Sequence, residues 1–235
     1  MKDQIVVVIG GSRGIGREVA LQAAARGARV IAAARGEASL AALRAEAPRI
    51  ETAQADVNDP AALTRLFAAL PRVDHVYLAA GVFVGGAAAE GDEAAFRAAL
   101  EPRIWGVMHL VRALNGKIAP SGSIVLTGGV STDRPARGAW ITNIGTAAAE
   151  QSARALALDL APVRVNAISP GWTDTPMWDA ILGAGKNEAF ADVAAKLPVG
   201  RIATAREVAD AVLFLMNNGA ITGEIVHVDG GHRLV

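Results

Sequence analysis

The segment that most restricts the fold stands near the start of the chain. An unbroken apolar run, Ile5–Ile9, leads directly into Gly10-Gly11-Ser12-Arg13-Gly14-Ile15-Gly16, and Ala- and Arg-rich sequence with helical spacing follows over Ile15–Arg26. A short apolar run without polar alternation reads as a strand buried on both faces, the mark of a parallel sheet. Glycines at 10, 14 and 16 permit a tight reversal and let backbone N–H groups approach a bound anion. The helix behind them aims the positive end of its dipole at the same point. Strand, glycine turn and helix in this order form the phosphate-binding opening of a βαβ unit. The residues expected to cradle a dinucleotide pyrophosphate are Gly10, Ser12, Arg13, Gly14, Ile15 and Gly16.

The rest of the chain repeats the alternation. Further apolar runs lie at Arg29–Ala34, Ile50–Gln54, His75–Ala79, Ser123–Leu126, Arg164–Ile168 and Glu224–Val228. Between them come helical patterns at Ser39–Ala45, Ala61–Leu70, Glu93–Leu114, Thr142–Leu160 and Ala205–Met216. Regular strand–helix alternation predicts an α/β, Rossmann-type, doubly wound fold, with a seven-stranded parallel sheet and helices on both faces. No linker or repeat divides the 235 residues, so one domain is expected over 1–235. The stretch 171–200 follows a strand, carries several Gly and Pro, and reads as a strandless substrate lid at the carboxyl edge of the sheet.

Composition removes whole classes of function. The chain has no cysteine, so thiolate catalysis and Cys-ligated metals are ruled out. Lys+Arg and Asp+Glu are balanced at 23 each, which offers no basic footprint for nucleic acid or an anionic membrane. No apolar stretch is long enough to span a bilayer, and the N-terminus lacks a signal-peptide layout, so a cytoplasmic location is expected. The four histidines are scattered, and no metal site is expected from them.

The end of the second strand bears on the choice of cofactor. It reads Ala32-Ala33-Ala34-Arg35, with no carboxylate to accept a ribose 2′-hydroxyl. Arg35 and Arg13 instead suit a 2′-phosphate, so NADP(H) is expected over NAD(H).

Across its whole length the chain resembles the short-chain dehydrogenase/reductase family. The likeness rests on Gly10–Gly16, Asp56-Val57, Ala80-Gly81, Pro170-Gly171, Thr175-Pro176-Met177, Gly200-Arg201, Glu207-Val208-Ala209, Thr222-Gly223 and Val228-Asp229-Gly230-Gly231. It implies an oxidoreductase acting on a carbonyl/alcohol pair with a nicotinamide cofactor, in a homotetramer or homodimer. It further implies cofactor contacts at Asp56, Val57, Ala80, Gly81, Pro170, Gly171, Thr173 and Thr175.

The family's catalytic Asn, Ser, Tyr and Lys are not matched. Their positions hold Arg103, Gly129, Thr142 and Thr146. A shift of alignment recovers nothing, since the one tyrosine is Tyr77 and no lysine lies between Lys117 and Lys186. Without the phenol the usual proton donor is gone, a loss of about 10²–10⁴ in rate for a general acid. Three readings follow: a divergent oxidoreductase, an inactive NADP(H)-binding regulatory or partner protein, and a non-redox lyase, isomerase or cyclase. Arg103 would serve the last by holding an anion or an enolate, unless it pairs with Glu101 or is turned away by Pro102. The loop Ser131–Arg137, with Trp140, is expected to border the pocket. In it Asp133 is either a base or a solvated partner of Arg134. His109 is expected to be structural. Trp172 and Trp178 either cover a flat ligand or pack the lid.

Overall fold

A computed structural model describes every residue except Ala80. Nine strands form among the described residues: β1 (Ile5–Ile9), β2 (Arg29–Ala34), β3 (Glu51–Gln54), β4 (Val73–Leu78), β5 (Ile118–Thr127), β6 (Arg164–Pro170), β7 (Thr173–Asp174), β8 (Ala203–Thr204) and β9 (Ile225–Val228). Seven of them make one sheet in the order β3-β2-β1-β4-β5-β6-β9, and every neighbouring pair is parallel. The chain moves outward from β1 to β3, then returns to pair β4 with β1. The order therefore reverses between β1 and β4, and a crevice opens beyond their carboxyl ends.

Alternation of side chains along β1 divides the core in two. Ile5, Val7 and Ile9 face one layer, where α3 (Pro60–Ala68), α4 (Glu93–Ala113) and α5 (Trp140–Asp159) contribute Leu63, Phe67, Leu110 and Ala153. Val6 and Val8 face the other, where α1 (Gly14–Ala25), α2 (Glu37–Glu46) and α8 (Ala205–Asn217) contribute Val19, Ala23, Leu43 and Val212. Val7 and Val8 are both fully buried. Burying a side chain of this size contributes about 1.5–3 kcal/mol, so both faces of the sheet are held independently.

Helix ends differ in a way that bears on the site. Asp59 caps α3 by accepting from Ala61 N and Ala62 N, and Asp92 caps α4 by accepting from Ala94 N. Thr204 and Glu207 cap α8 reciprocally. The amino end of α1 has no side-chain cap and no acid in its first turn. Its leading N–H groups are left for another acceptor.

The lid stretch is not strandless, as its Gly and Pro content suggested. Thr173 and Asp174 of β7 pair in parallel with Ala203 and Thr204 of β8, and α6 (Pro176–Leu182) and α7 (Lys186–Ala194) follow β7. Two-residue strands carry no periodicity to read. Lys186 Nζ ties the segment together, lying 2.7 Å from both Asp174 and Asp179. β5 begins at Ile118, ahead of the expected Ser123, because its exposed front half holds Pro120 and Ser121 rather than a β-branched run.

Two tests follow from the packing. A Cβ on Gly16 would stand 2.2 Å from the backbone oxygen of Gly10. Gly16→Ala is therefore expected to cost about 1–3 kcal/mol, seen as a lower urea midpoint. The hydrogen bond from Arg201, helped by the Thr204 backbone N–H, holds the Glu207 carboxyl down at about 2. Its contribution is complete above the ordinary carboxylate range and is lost as pH falls toward 2. The stability gap between wild type and Glu207→Gln, followed by thermal melts, is expected to close over that acidic window only.

Candidate functional site

A cavity of about 660 Å³ opens beyond the carboxyl ends of β1, β4, β5 and β6, bounded by the glycine turn on one side and the lid on the other. The turn requires its glycines. Gly10 and Gly14 have φ of +84° and +53°, in the left-handed region, and Gly16 packs on the Gly10 carbonyl. The N–H groups of Gly10 and Gly11 both donate to Ala33 O, which fastens the turn to β2. Gly10, Arg13, Gly14, Ile15 and Gly16 form the wall beneath the uncapped end of α1. The fit to a pyrophosphate is good: close-packed glycines and free leading amides at a helix start.

Other expected cofactor contacts divide into two groups. Gly81, Pro170, Gly171, Thr173 and Thr175 line the cavity. Thr173 Oγ1 donates to Gly171 O at 3.1 Å, and Gly171 N donates to Val228 O at 3.1 Å, which fixes the path out of β6. Ser12, Arg35, Asp56 and Val57 stand outside the cavity wall. Ser12 is buried and its hydroxyl accepts from Ser39 Oγ at 3.0 Å. Arg35 is exposed just past β2, and neither it nor Arg13 is in an ion pair among the described residues. The nearby Glu37 is taken by Arg44. Asp56 accepts from Asn58 N at 2.9 Å, and Val57 packs closely on Gly106. Ala80 lies outside the described residues.

At the opposite end of the cavity stand Gly129, Thr142 and Thr146. The Thr142 hydroxyl donates to Val84 O and accepts from Val84 N, both at 3.0 Å. Thr146 Oγ1 donates to Asn143 O at 2.9 Å and lies 3.0 Å from Ser131 Oγ. Both threonines are buried, and both are committed to neighbouring protein groups. A neutral alcohol in such a setting is a hydrogen-bonding group and has no accessible acid pKa. Gly129 N donates to Glu150 Oε1 at 3.1 Å, so the buried Glu150 holds this loop from behind.

Tyr77 gives no substitute. It is fully buried on β4, its hydroxyl is 3.0 Å from that of Thr127, and burial pushes its pKa far above the ordinary phenol value.

Arg103 points into the cavity. Helix α4 runs on through Pro102, and the expected turning-away does not occur. The expected ion pair with Glu101 is absent among the described residues: Glu101 is exposed, and Arg103 makes only two hydrogen bonds. Both come from Nη1, to Val82 O at 3.0 Å and to Ala99 O at 3.5 Å. Burial pushes its pKa down to about 10, which leaves it protonated at neutral pH.

Asp133 pairs with His227 at 2.7 Å rather than facing the cavity, and His109 Nδ1 sits 3.3 Å from Val57 O as a structural contact. Trp172 and Trp178 stack on each other at 4.1 Å between centroids, with Phe190 edge-on to both. They are lid packing with one side turned to the cavity. Ser39, Phe83 and Glu150 were missed in the sequence. For Glu150 a signal existed, since Thr142, Thr146 and Glu150 recur every fourth residue on an otherwise Ala-rich helix.

A family model described as Enoyl-(Acyl carrier protein) reductase matches residues 9–233. The Short-chain dehydrogenase/reductase ATR9 of Stachybotrys chlorohalonatus is 32% identical, covering 98% of this chain and 97% of its own. This chain belongs to the short-chain dehydrogenase/reductase family. Among solved members, a small-chain dehydrogenase in complex with NADPH superposes with a TM-score of 0.87 at 27% identity, each chain covered in full. The MalC Reductase/Diels-Alderase of Malbranchea aurantiaca superposes with a TM-score of 0.93 at 26% identity, over 100% of this chain and 98% of that one.

The double hydrogen bond of Thr142 to Val84 makes this hydroxyl part of the fold. Thr142→Val is expected to lower stability by about 1 kcal/mol, measured by urea denaturation.

Proposed function

We propose that this protein is an NADP(H)-binding oxidoreductase acting on a carbonyl/alcohol pair, without the proton relay usual in its family. The observation that carries the cofactor reading is the glycine turn packed beneath the uncapped end of α1. The exposed, unpaired Arg13 and Arg35 favour a 2′-phosphate, and a solved relative bound to NADPH supports the assignment.

NADPH supplies a hydride when bound. The remaining work falls to the chain. The glycine turn and α1 hold the pyrophosphate, and the segment Pro170–Thr175 borders the reacting end. Trp172, Trp178 and Met177 supply apolar wall beside it. Arg103, Gly129, Thr142 and Thr146 occupy the positions of the family's Asn, Ser, Tyr and Lys. None of the four offers an acid near neutrality, so the proton for the substrate oxygen comes from solvent. A substrate whose reduced form is a weakly basic anion suits such a site, because it needs little help from an acid.

A non-redox reaction is the second reading. It is favoured by the buried guanidinium of Arg103 and by likeness to a relative whose description names a Diels-Alderase beside a reductase.

Calorimetric titration with NADPH and NADH tests the cofactor. Micromolar NADPH binding is expected, and Arg35→Ala is expected to weaken it by about tenfold while leaving NADH unchanged. Failure of both dinucleotides to bind overturns the assignment. With NADPH bound, oxidation followed at its absorbance across carbonyl and activated-alkene compounds tests the reaction. Binding without turnover would favour a regulatory role, and substrate loss without NADPH oxidation a non-redox one.

A further inference from the structure

Two arginines are buried, and they differ in how they are satisfied. Arg164 donates to Leu215 O and Met216 O at 2.7 Å and to Ile221 O at 3.2 Å, which spreads its charge over three carbonyls at the end of α8. It is a structural arginine. Arg103 is as deeply buried, at 9% exposed, yet only Nη1 is used. Its Nε is buried with no partner, and no hydrogen bond from Nη2 is found among the described residues. Leaving a buried charged donor unpaired costs free energy that a fold does not retain without compensation. The unused Nε and Nη2 form one edge of the guanidinium, the fork that matches the two oxygens of a carboxylate.

The guanidinium packs against Gly81 and Gly145, and the residue stands in the cavity wall. A Cβ on Gly81 would stand 2.7 Å from Nη2, and one on Gly145 would stand 3.1 Å from Cδ. Any side chain at 81 would occupy the space against the fork. The cavity walls carry Arg13, Arg103, Arg134 and Arg137, and no carboxylate among the described residues. Desolvation and the nearby Arg134 push the pKa of His232, also in the wall, below its ordinary value. The charged side chains in the wall itself are thus all cationic, while Glu150 lies behind the wall on Gly129 N. The walls between these cations are apolar, from Phe83, Trp172, Met177, Trp178 and Ile181.

We infer that the substrate of this site is a carboxylate with an apolar, flat body, its anionic group drawn to the unneutralised guanidinium of Arg103 and its body against Trp172 and Trp178. This rests on the proposed function, because it takes the cavity to be the place where substrate meets cofactor. Arg13 lies at the glycine turn and is accounted for by the cofactor. Arg103 stands in the wall with Thr142 and Gly129, so its charge serves a second ligand.

Benzoate is the probe, and benzamide is its neutral isostere. Both are titrated into wild type with saturating NADP⁺, and binding is read from tryptophan fluorescence and by calorimetry. Benzoate is expected to bind at least about tenfold more tightly than benzamide. Arg103→Gln is expected to lose that preference, and Arg103→Lys to recover part of it as a point charge without the fork. NADP⁺ affinity is measured on every variant, and thermal melts check folding. Equal binding of benzoate and benzamide to wild type overturns the inference, even if Arg103→Gln fails to fold. So does a preference lost in Arg137→Gln but kept in Arg103→Gln, which would place the anion at the rim. If Arg103→Gln loses NADP⁺ but keeps benzoate, the guanidinium belongs to the cofactor and the inference fails. If wild type binds no dinucleotide yet prefers benzoate, the cofactor reading fails and the anion site stands.

Discussion

The close approach of Gly16 to the carbonyl of Gly10 determines where the cavity can form. It draws the start of α1 down onto the end of β1, so that the first helical amides face the crevice at the point where the strand order reverses. The two N–H groups that fasten the turn to Ala33 set its height against β2. Thr175 then packs on Gly14 from the far side, at a distance an added Cβ would reduce to ordinary contact. The lid is thereby registered against the turn through the same few backbone atoms. A side chain at Gly16 would push the helix start off the Gly10 carbonyl and move that wall.

The opposite wall is organised by α5. Thr142 and Thr146 direct their hydroxyls at Val84, Asn143 and Ser131, and Glu150 secures the Gly129 loop. These groups hold the loop after β4 and the loop after β5 in place. The cation of Arg103 persists through the physiological range even with its pKa pushed down by burial.

Much of the fold was legible because buried parallel strands are written as apolar runs, and β1, β2, β6 and β9 were read to within a few residues. The front of β5 was not, since Pro120 and Gly122 mask a segment that pairs only through its neighbour β4. Nor were β7 and β8, whose two residues each are held by the tertiary contact of the lid with the loop before α8. In the site, the glycine turn could be read from order alone, and the missing phenol from the single tyrosine. The orientation of Arg103 could not. Pro102 pointed to a kink, yet the helix continues, and what admits the guanidinium is the absence of side chains at Gly81 and Gly145 on two other segments.

That last point separates this cavity from one that has merely decayed. Loss of a catalytic group by drift leaves small or neutral residues and relaxed surroundings. At the Arg103 position stands a buried cation, two glycines make room for it, and no acid among the described residues pairs with it. A buried charge of that kind is tolerated where a ligand supplies the counter-charge, since removing one partner of a buried pair costs about 3–5 kcal/mol. The inferred carboxylate site thus rests on an unneutralised cation in a wall whose other side chains are largely apolar.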